Sequence, residues 1–267
     1  MSDEAREQTV GLRWLGQSGF ELTAVDGQSV LLDPYLSDWA FEDIGTPRAI
    51  PPVVEPADVR TSAVIATHYH HDHLDVLACP EIARANPDAV FIGPPSIEAR
   101  LVGRGVQRER VIALERGGTV THGRFTLHGG FVRHEVAGWL TEDALSLVVE
   151  VDGVRIFVSG DTEYDSRVLA AREHGPFDVG LFVTNGSGGN MNALEAALMA
   201  HQLGPAVAVP MHYGMWPEEY YGPDATLDPQ LFVDACERLG GPATHVMELG
   251  EVLSVPLERA GVVSARG

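Results

Sequence analysis

The hydrophobic pattern changes character along the chain. Between residues 11 and 33 it comes as short apolar and β-branched runs, at 11–15, 19–24 and 30–33, cut by Gly-Gln-Ser and Asp-Gly-Gln. Runs of this length bounded by Gly and Asp predict strands. Residues 34–60 are rich in Pro and acidic side chains and show no period, which predicts a long surface loop. The run 62–67, Ser-Ala-Val-Ile-Ala-Thr, is largely apolar, as a strand covered on both faces would be. A helix at 80–85, a strand at 89–93 and a helix at 96–102 follow, with Pro at or near the helix starts.

Strands are predicted again at 110–114, 119–122, 125–134, 145–151 and 154–159, the last two joined by the hairpin dipeptide Asp152-Gly153. The final third alternates: helix 165–173, strand 179–183, helix 193–203, strand 206–210, helix 229–239. A meander followed by strand–helix alternation predicts a layered α/β architecture and not a β-sandwich. With no short-period repeat, low-complexity tract or linker, residues 1–267 read as one domain.

Charge narrows the chemistry. The formal net charge is −20, and all 18 basic residues are Arg. Without lysine there is no lysine Schiff base. A surface this acidic repels nucleic acid, whose binding depends on neutralised phosphates, so a small molecule is the expected partner. Cys79 and Cys236 are too few and too distant for a disulfide framework or a cysteine zinc site, and read as packed thiols. Segment 1–8 is polar and acidic, unlike a signal peptide, and no run approaches the roughly 20 apolar residues of a membrane span. A soluble, cytoplasmic protein is expected, with homo-oligomers left open.

Immediately after the apolar run 62–67 stands His68-Tyr69-His70-His71-Asp72-His73. Imidazole and carboxylate suit zinc, manganese or iron at neutral pH. In extended chain, side chains two apart project to the same side, so His68 and His70 can grip one ion. A turn afterwards lets Asp72 and His73 face a second. The cluster also follows a buried strand, where ligand sites of α/β sheets gather.

This string resembles the H-x-H-x-D-H signature of the metallo-β-lactamase superfamily, and further marks follow in order: Leu32-Asp33-Pro34, His134, Ser159-Gly160-Asp161-Thr162 and Pro210-Met211-His212-Tyr213. The resemblance implies a four-layer αββα sandwich holding two divalent metal ions, Zn2+ first and Mn2+ second. It implies His68, His70 and His134 on one ion, Asp72, His73 and His212 on the other, Asp161 bridging both, and Asp33 supporting a metal-bound imidazole. His122 and His128 compete with His134 for the third position; His134 is preferred because it stands at an element end, where catalytic groups gather. His71 reads as a loop histidine.

Two such ions lower the pKa of a shared water and polarise a carbonyl or phosphoryl oxygen, so no protein nucleophile is needed. Asp161 and Asp72 are the expected catalytic carboxylates, Asp72 orienting the water. The family's diiron oxygen-reducing members carry Glu where this chain has His70, which favours hydrolysis. Secreted zinc β-lactamases carry Cys where it has Asp161, which disfavours antibiotic degradation. Trp14-Leu15-Gly16-Gln17-Ser18-Gly19-Phe20, Phe91-Ile92-Gly93-Pro94-Pro95, Gly188-Gly189-Asn190-Met191 and the run from Glu195-Ala196 to Trp216 are similar to the ascorbate-6-phosphate lactonase-like branch. That implies hydrolysis of a small ester or lactone, a sugar-phosphate lactone among them. A phosphodiesterase or nuclease and a non-catalytic metal-binding scaffold are the alternatives. Many relatives have Gly-His-Ser or Gly-His-Ala where this chain has Gly16-Gln17-Ser18, and Gln17 does not titrate near neutrality. Asn185, Asn190 and Tyr213 are candidate substrate contacts, Arg48 and Arg133 candidates for a phosphate, and 218–226 a segment that shapes specificity.

Overall fold

A computed structural model of the chain describes residues 8–221 and 225–257. Of the segment read at 1–8 only Gln8 falls within it, and 222–224 of the segment 218–226 fall outside. In chain order the elements are β1 (Thr9–Gly16), β2 (Gly19–Thr23), β3 (Ser29–Leu32), α1 (Trp39–Ile44), β4 (Ala63–Ile65), α2 (Ala78–Ala85), β5 (Val90–Gly93), α3 (Ser96–Val102), β6 (Val111–Ala113), β7 (Thr119–His122), β8 (Phe125–Gly130), β9 (Glu135–Val136), β10 (Trp139–Leu140), β11 (Ser146–Val151), β12 (Val154–Val158), β13 (Val179–Val183), α4 (Ala193–Leu203), β14 (Val207–Met211), α5 (Gln230–Leu239), β15 (Ala243–Thr244) and β16 (Val252–Pro256).

They form two seven-stranded sheets, ordered β16-β1-β2-β3-β4-β5-β6 and β15-β14-β13-β12-β11-β8-β7. Each sheet joins an antiparallel part to a parallel one: β3 to β6 in the first and β12 to β15 in the second. Period-2 alternation explains the layering. Val30, Leu32, Ala63, Ile65 and Ile92 point into the core shared with Leu127, Leu147, Val149 and Ile156 of the second sheet. Their neighbours Leu31, Val64 and Phe91 point the other way, onto Cys79 and Ile82 of α2 and Ile97 and Leu101 of α3. On the far side, Ala196, Ala197 and Ala200 of α4 and Phe232 of α5 cover Phe157 and Phe182. The architecture is the expected αββα.

Several predicted elements are corrected. The loop 34–60 contains α1, closed by Gly45 in the left-handed region. Only Ala40 of α1 is buried, so it carries no apolar stripe to read. The strand predicted at 125–134 ends at Gly130, the last residue of β8 paired with β11, where only glycine fits beside Ser146 Oγ. Beyond His134 the chain forms the short hairpin β9–β10, turning at Ala137-Gly138, both with positive φ. The helix expected at 165–173 is a run of 3-10 turns over Ser166–His174, capped by Asp165 and buried only at Val168. The strands β15 and β16 were not foreseen; β16 pairs antiparallel with β1 across nearly the whole chain.

Candidate metal centre

The parallel strands place their carboxyl ends along one edge of the sandwich. β3 leads into Asp33, β4 into His68, β12 into Asp161, β13 into Asn185 and β14 into His212. Crevices of this kind, beyond the carboxyl ends of parallel strands, are where open α/β sheets bind ligands. Among the described residues five non-glycine positions have positive φ; two of them, Ala137 and Asp152, are hairpin turns, and the other three are Gln17, Asp33 and His212. Left-handed backbone in such residues is held against its preference by surrounding contacts and concentrates at functional sites. Here His212 N donates to Gln17 O at 3.1 Å, and Trp14 Nε1 donates to the same oxygen at 3.0 Å. Gly160 is required by crowding as well as by its φ of 59°: a Cβ there would lie 2.4 Å from Leu145 O.

After β4 the chain turns sharply, with His73 N and Leu74 N both donating to His70 O, which swings Asp72 and His73 round toward His212. Two groups result. In the first, His70 Nδ1 lies 2.9 Å from His68 Nε2 and 3.0 Å from His134 Nε2. In the second, His212 Nε2 lies 3.3 Å from His73 Nε2 and 3.2 Å from Asp72 Oδ2. Asp161 stands between them: Oδ1 is 3.3 Å from His73 Nε2, and Oδ2 is 3.3 Å from His212 Nε2 and 3.8 Å from His134 Nε2. Of the three histidines weighed for the position beside His68 and His70, His134 is the one brought there. His128 stacks on His174 elsewhere, with ring centroids 4.2 Å apart, and His122 ends β7.

The electrostatics of the two groups differ. Burial, reinforced by the neighbouring imidazoles, holds His68 far below the ordinary histidine range; burial and His134 push His70 down to about 4; burial lowers His134 as well. In the second group burial also opposes charge, but Asp161, Asp33 and Asp72 outweigh it at His73, and Asp161 and Asp72 raise His212 to about 9. Both carboxylates are held well below their usual range against burial, Asp72 by His73 and His212, Asp161 by His212 and His73.

Buried polar atoms fix these side chains. Asp33, fully buried, would cost several kcal/mol unpaired. It accepts from Thr67 N and Thr67 Oγ1, both at 2.7 Å, and its Oδ2 lies 2.8 Å from His73 Nδ1. That contact sets the ring of His73 with Nε2 toward the site. Asn190 Nδ2 donates to Asp161 Oδ2 at 3.0 Å. Gln17, which the sequence offered only as a departure from a family string, donates from Nε2 to Asp72 Oδ2 at 2.8 Å and lies 3.2 Å from His212 Nδ1. Asp75 carried no local sequence signal: its carboxylate ties the 34–37 turn to α2, accepting from Leu36 N, Ser37 N, Ser37 Oγ, Leu77 N and Ala78 N.

The donor set fits divalent cations. His70 Nδ1 faces two imidazole nitrogens at once, and one proton serves only one of those pairs, leaving lone pairs opposed. Asp161 Oδ1 is buried without a hydrogen-bond partner among the described residues. A cation at each group resolves both problems, and the atoms of His68, His70 and His134, of Asp72, His73 and His212, and of His68, His73 and Asp161 each converge within 4.8 Å.

A cavity of about 730 Å³ opens onto the centre, lined by His70, Asp72, His134, Asp161 and His212, with Ile44, Val136, Trp216, Tyr220 and Tyr221 as walls. Asn185 and Asn190 reach it, but Tyr213 does not line it: its ring packs on Trp14 at 5.4 Å. Neither arginine suggested for phosphate reaches it. Arg48 is spent on the carbonyls of Tyr35, Ser37 and Ile50, and Arg133 pairs with Glu163 and Glu135.

Comparison with known proteins places the chain beside metal-dependent hydrolases. The sequence model of the β-lactamase superfamily domain matches residues 28–213. A metal-dependent hydrolase of Methanopyrus kandleri is 30% identical over 241 residues, covering 86% of this chain and 92% of that one. A Salmonella choleraesuis protein named "Probable L-ascorbate-6-phosphate lactonase" is 27% identical over 250 residues, covering 78% and 70%. Among solved structures, Igni18, a metallo hydrolase of Ignicoccus hospitalis, superposes with a TM-score of 0.71 at 26% identity, covering 94% of this chain and all of that one.

Proposed function

The chain belongs to the metallo-β-lactamase superfamily of metal-dependent hydrolases, and from that premise we propose that it hydrolyses a small-molecule ester, a lactone being the first class to test, with two divalent cations held by the two groups described above. The reading takes residues 1–267 as one hydrolase domain acting in the cytoplasm, with Zn2+ as the first metal and Mn2+ as the second. The observation that carries it is Asp161, buried between the groups with one oxygen 3.3 Å from His73 Nε2 but making no hydrogen bond among the described residues, and the other within 3.8 Å of a histidine from each group.

When bound, the cations supply a more acidic water and polarise the carbonyl under attack. The chain supplies the rest. His68, His70 and His134 are held neutral, so their lone pairs are ready. Asp33 sets the ring of His73, Asn190 holds Asp161, and Gln17 holds Asp72 Oδ2. Among the described residues Asp72 Oδ1 makes no hydrogen bond and has His71 Nε2 as its one ionic neighbour, at 3.9 Å, which suits it to accept a hydrogen bond from an attacking water. Trp216, Tyr220 and Tyr221 give the cavity a wall that takes an apolar body and sheds water.

A hydrolysis screen with lactones, phosphodiesters and β-lactams, run on zinc- and manganese-loaded protein beside His70→Ala, tests this. Lactone turnover that disappears in the variant is expected. A protein that acquires neither metal and gains no thermal stability from either overturns it.

A further inference from the structure

A second cavity, of about 340 Å³, adjoins the metal cavity and shares Asp43, His70 and His71 with it. Its remaining lining is Trp39, Tyr69, Val76, Arg100 and Arg104. The guanidinium of Arg100 lies 4.2 Å above the ring of Tyr69, and Tyr69 meets the ring of His70 edge-on at 5.0 Å. Arg104 lies 4.9 Å above Trp39. The two arginines stand four residues apart at the end of α3 and beyond it, so one turn of chain presents both.

In this chain that pairing stands out. Acidic residues outnumber arginines 38 to 18. Arg13, Arg84, Arg108, Arg124, Arg133 and Arg167 pair with carboxylates. Among the described residues Arg100 and Arg104 have neither a carboxylate nor a carbonyl partner. The one acidic group in the cavity, Asp43, lies 3.7 Å from His71 Nδ1. Stacking on aromatic rings fixes a guanidinium in place while leaving its N–H edges free, and those edges suit the oxygens of an anion. Among the described residues no arginine lines the metal cavity itself.

We propose that Arg100 and Arg104 form an anion subsite that takes the acidic end, a carboxylate or a phosphate, of the substrate whose ester lies at the metal centre. The inference rests on the hydrolase reading for its substrate, but not for its binding test. Guanidiniums beside a catalytic cavity also draw anions toward it against the overall negative field.

The test compares three lactones sharing one ring, one neutral, one bearing a carboxylate and one a phosphate, on metal-loaded wild type and on the double variant Arg100→Ala/Arg104→Ala. Both side chains are exposed, so the fold should tolerate their loss. The ratio of kcat/KM for an anionic lactone to that for the neutral one is expected to fall about tenfold or more. Which anionic probe falls further identifies the group; a ratio unchanged for both overturns the proposal. In parallel, calorimetric titration of phenylphosphonate into the same two proteins is expected to show weaker binding by the variant, restored in part by Arg100→Lys/Arg104→Lys. Equal affinity in wild type and double variant means the anion sits on the metals alone and overturns the subsite. If wild type hydrolyses no lactone or ester, the hydrolase reading fails while the titration still decides the subsite.

Discussion

The two halves of the metal centre are built from similar residues and behave oppositely. His68, His70 and His134 face one another, and burial outweighs the pull of Asp161 and Asp72 and keeps them neutral. His73 and His212 are just as buried, yet Asp161, Asp72 and Asp33 hold them protonated. Burial alone therefore does not decide the charge of a histidine; the number of carboxylates within a few ångströms does. One half offers a cation free lone pairs. The other must exchange protons for a cation, and so couples metal binding to pH.

The largest effect should come from the residue the halves share. Asp161→Asn removes the charge that faces both groups and leaves His73 and His212 short of a partner. We expect turnover to vanish and metal content, read by plasma mass spectrometry, to fall from about two ions per chain to about one or fewer. Retention of both ions would mean that the halves do not depend on this carboxylate.

The pH dependence of the metal-free protein should separate the halves next. His212 rises in the fold from 6.5 to about 9, so its protonation stabilises the fold fully below pH 6.5 and that contribution is lost as pH climbs through about 9. His70 works in the opposite sense. Its folded value of about 4 means that between pH 6.5 and about 4 the unfolded chain takes protons the fold refuses, so stability falls on acidification. Urea unfolding of chelator-treated protein from pH 4 to 10 should show both losses. Zinc should flatten the alkaline one, because the cation replaces the protons.

Asp33→Asn is expected to weaken metal binding chiefly at the His73 half, by about 10- to 100-fold, since His73 is the ring it contacts directly and its link to His68 runs only through Thr67 Oγ1. Competition with a chromophoric chelator should show one weakened site and one little changed. The smallest effect belongs to Gln17→Leu, which removes a hydrogen bond to a charged carboxylate worth about 1.5–3 kcal/mol. It should lower kcat about tenfold with little change in metal content; loss of an ion instead would make Gln17 a ligand.

Much of this was legible in residue order, and the reasons are local. His68, His70, Asp72 and His73 lie within six positions behind an apolar strand, and Asp33, Asp161 and His212 each stand at the end of a strand-like run. Short-range pattern carries that information because a strand's end is where its next side chain meets the sheet edge. His134 was harder, for the pattern ran 125–134 as one strand, and only the pairing of β8 with β11, which stops at Gly130, shows where the sheet releases the chain. Tyr213 follows His212 directly yet packs on Trp14, because the left-handed backbone of His212 turns the chain there, a feature that period-2 pattern does not carry.

The sequence by itself determined the ligand types, their order and the layered α/β class, because these follow from periodicity and from side-chain chemistry that does not depend on distant neighbours. Only the tertiary structure decided which histidines meet, which are charged, that Gln17 braces Asp72, and that Arg100 and Arg104, without a carboxylate partner among the described residues, line a cavity with His70 while Arg48 and Arg133 are occupied elsewhere. Those outcomes depend on separations of a few ångströms between residues up to 195 positions apart. Coulomb and hydrogen-bond energies change steeply over that range.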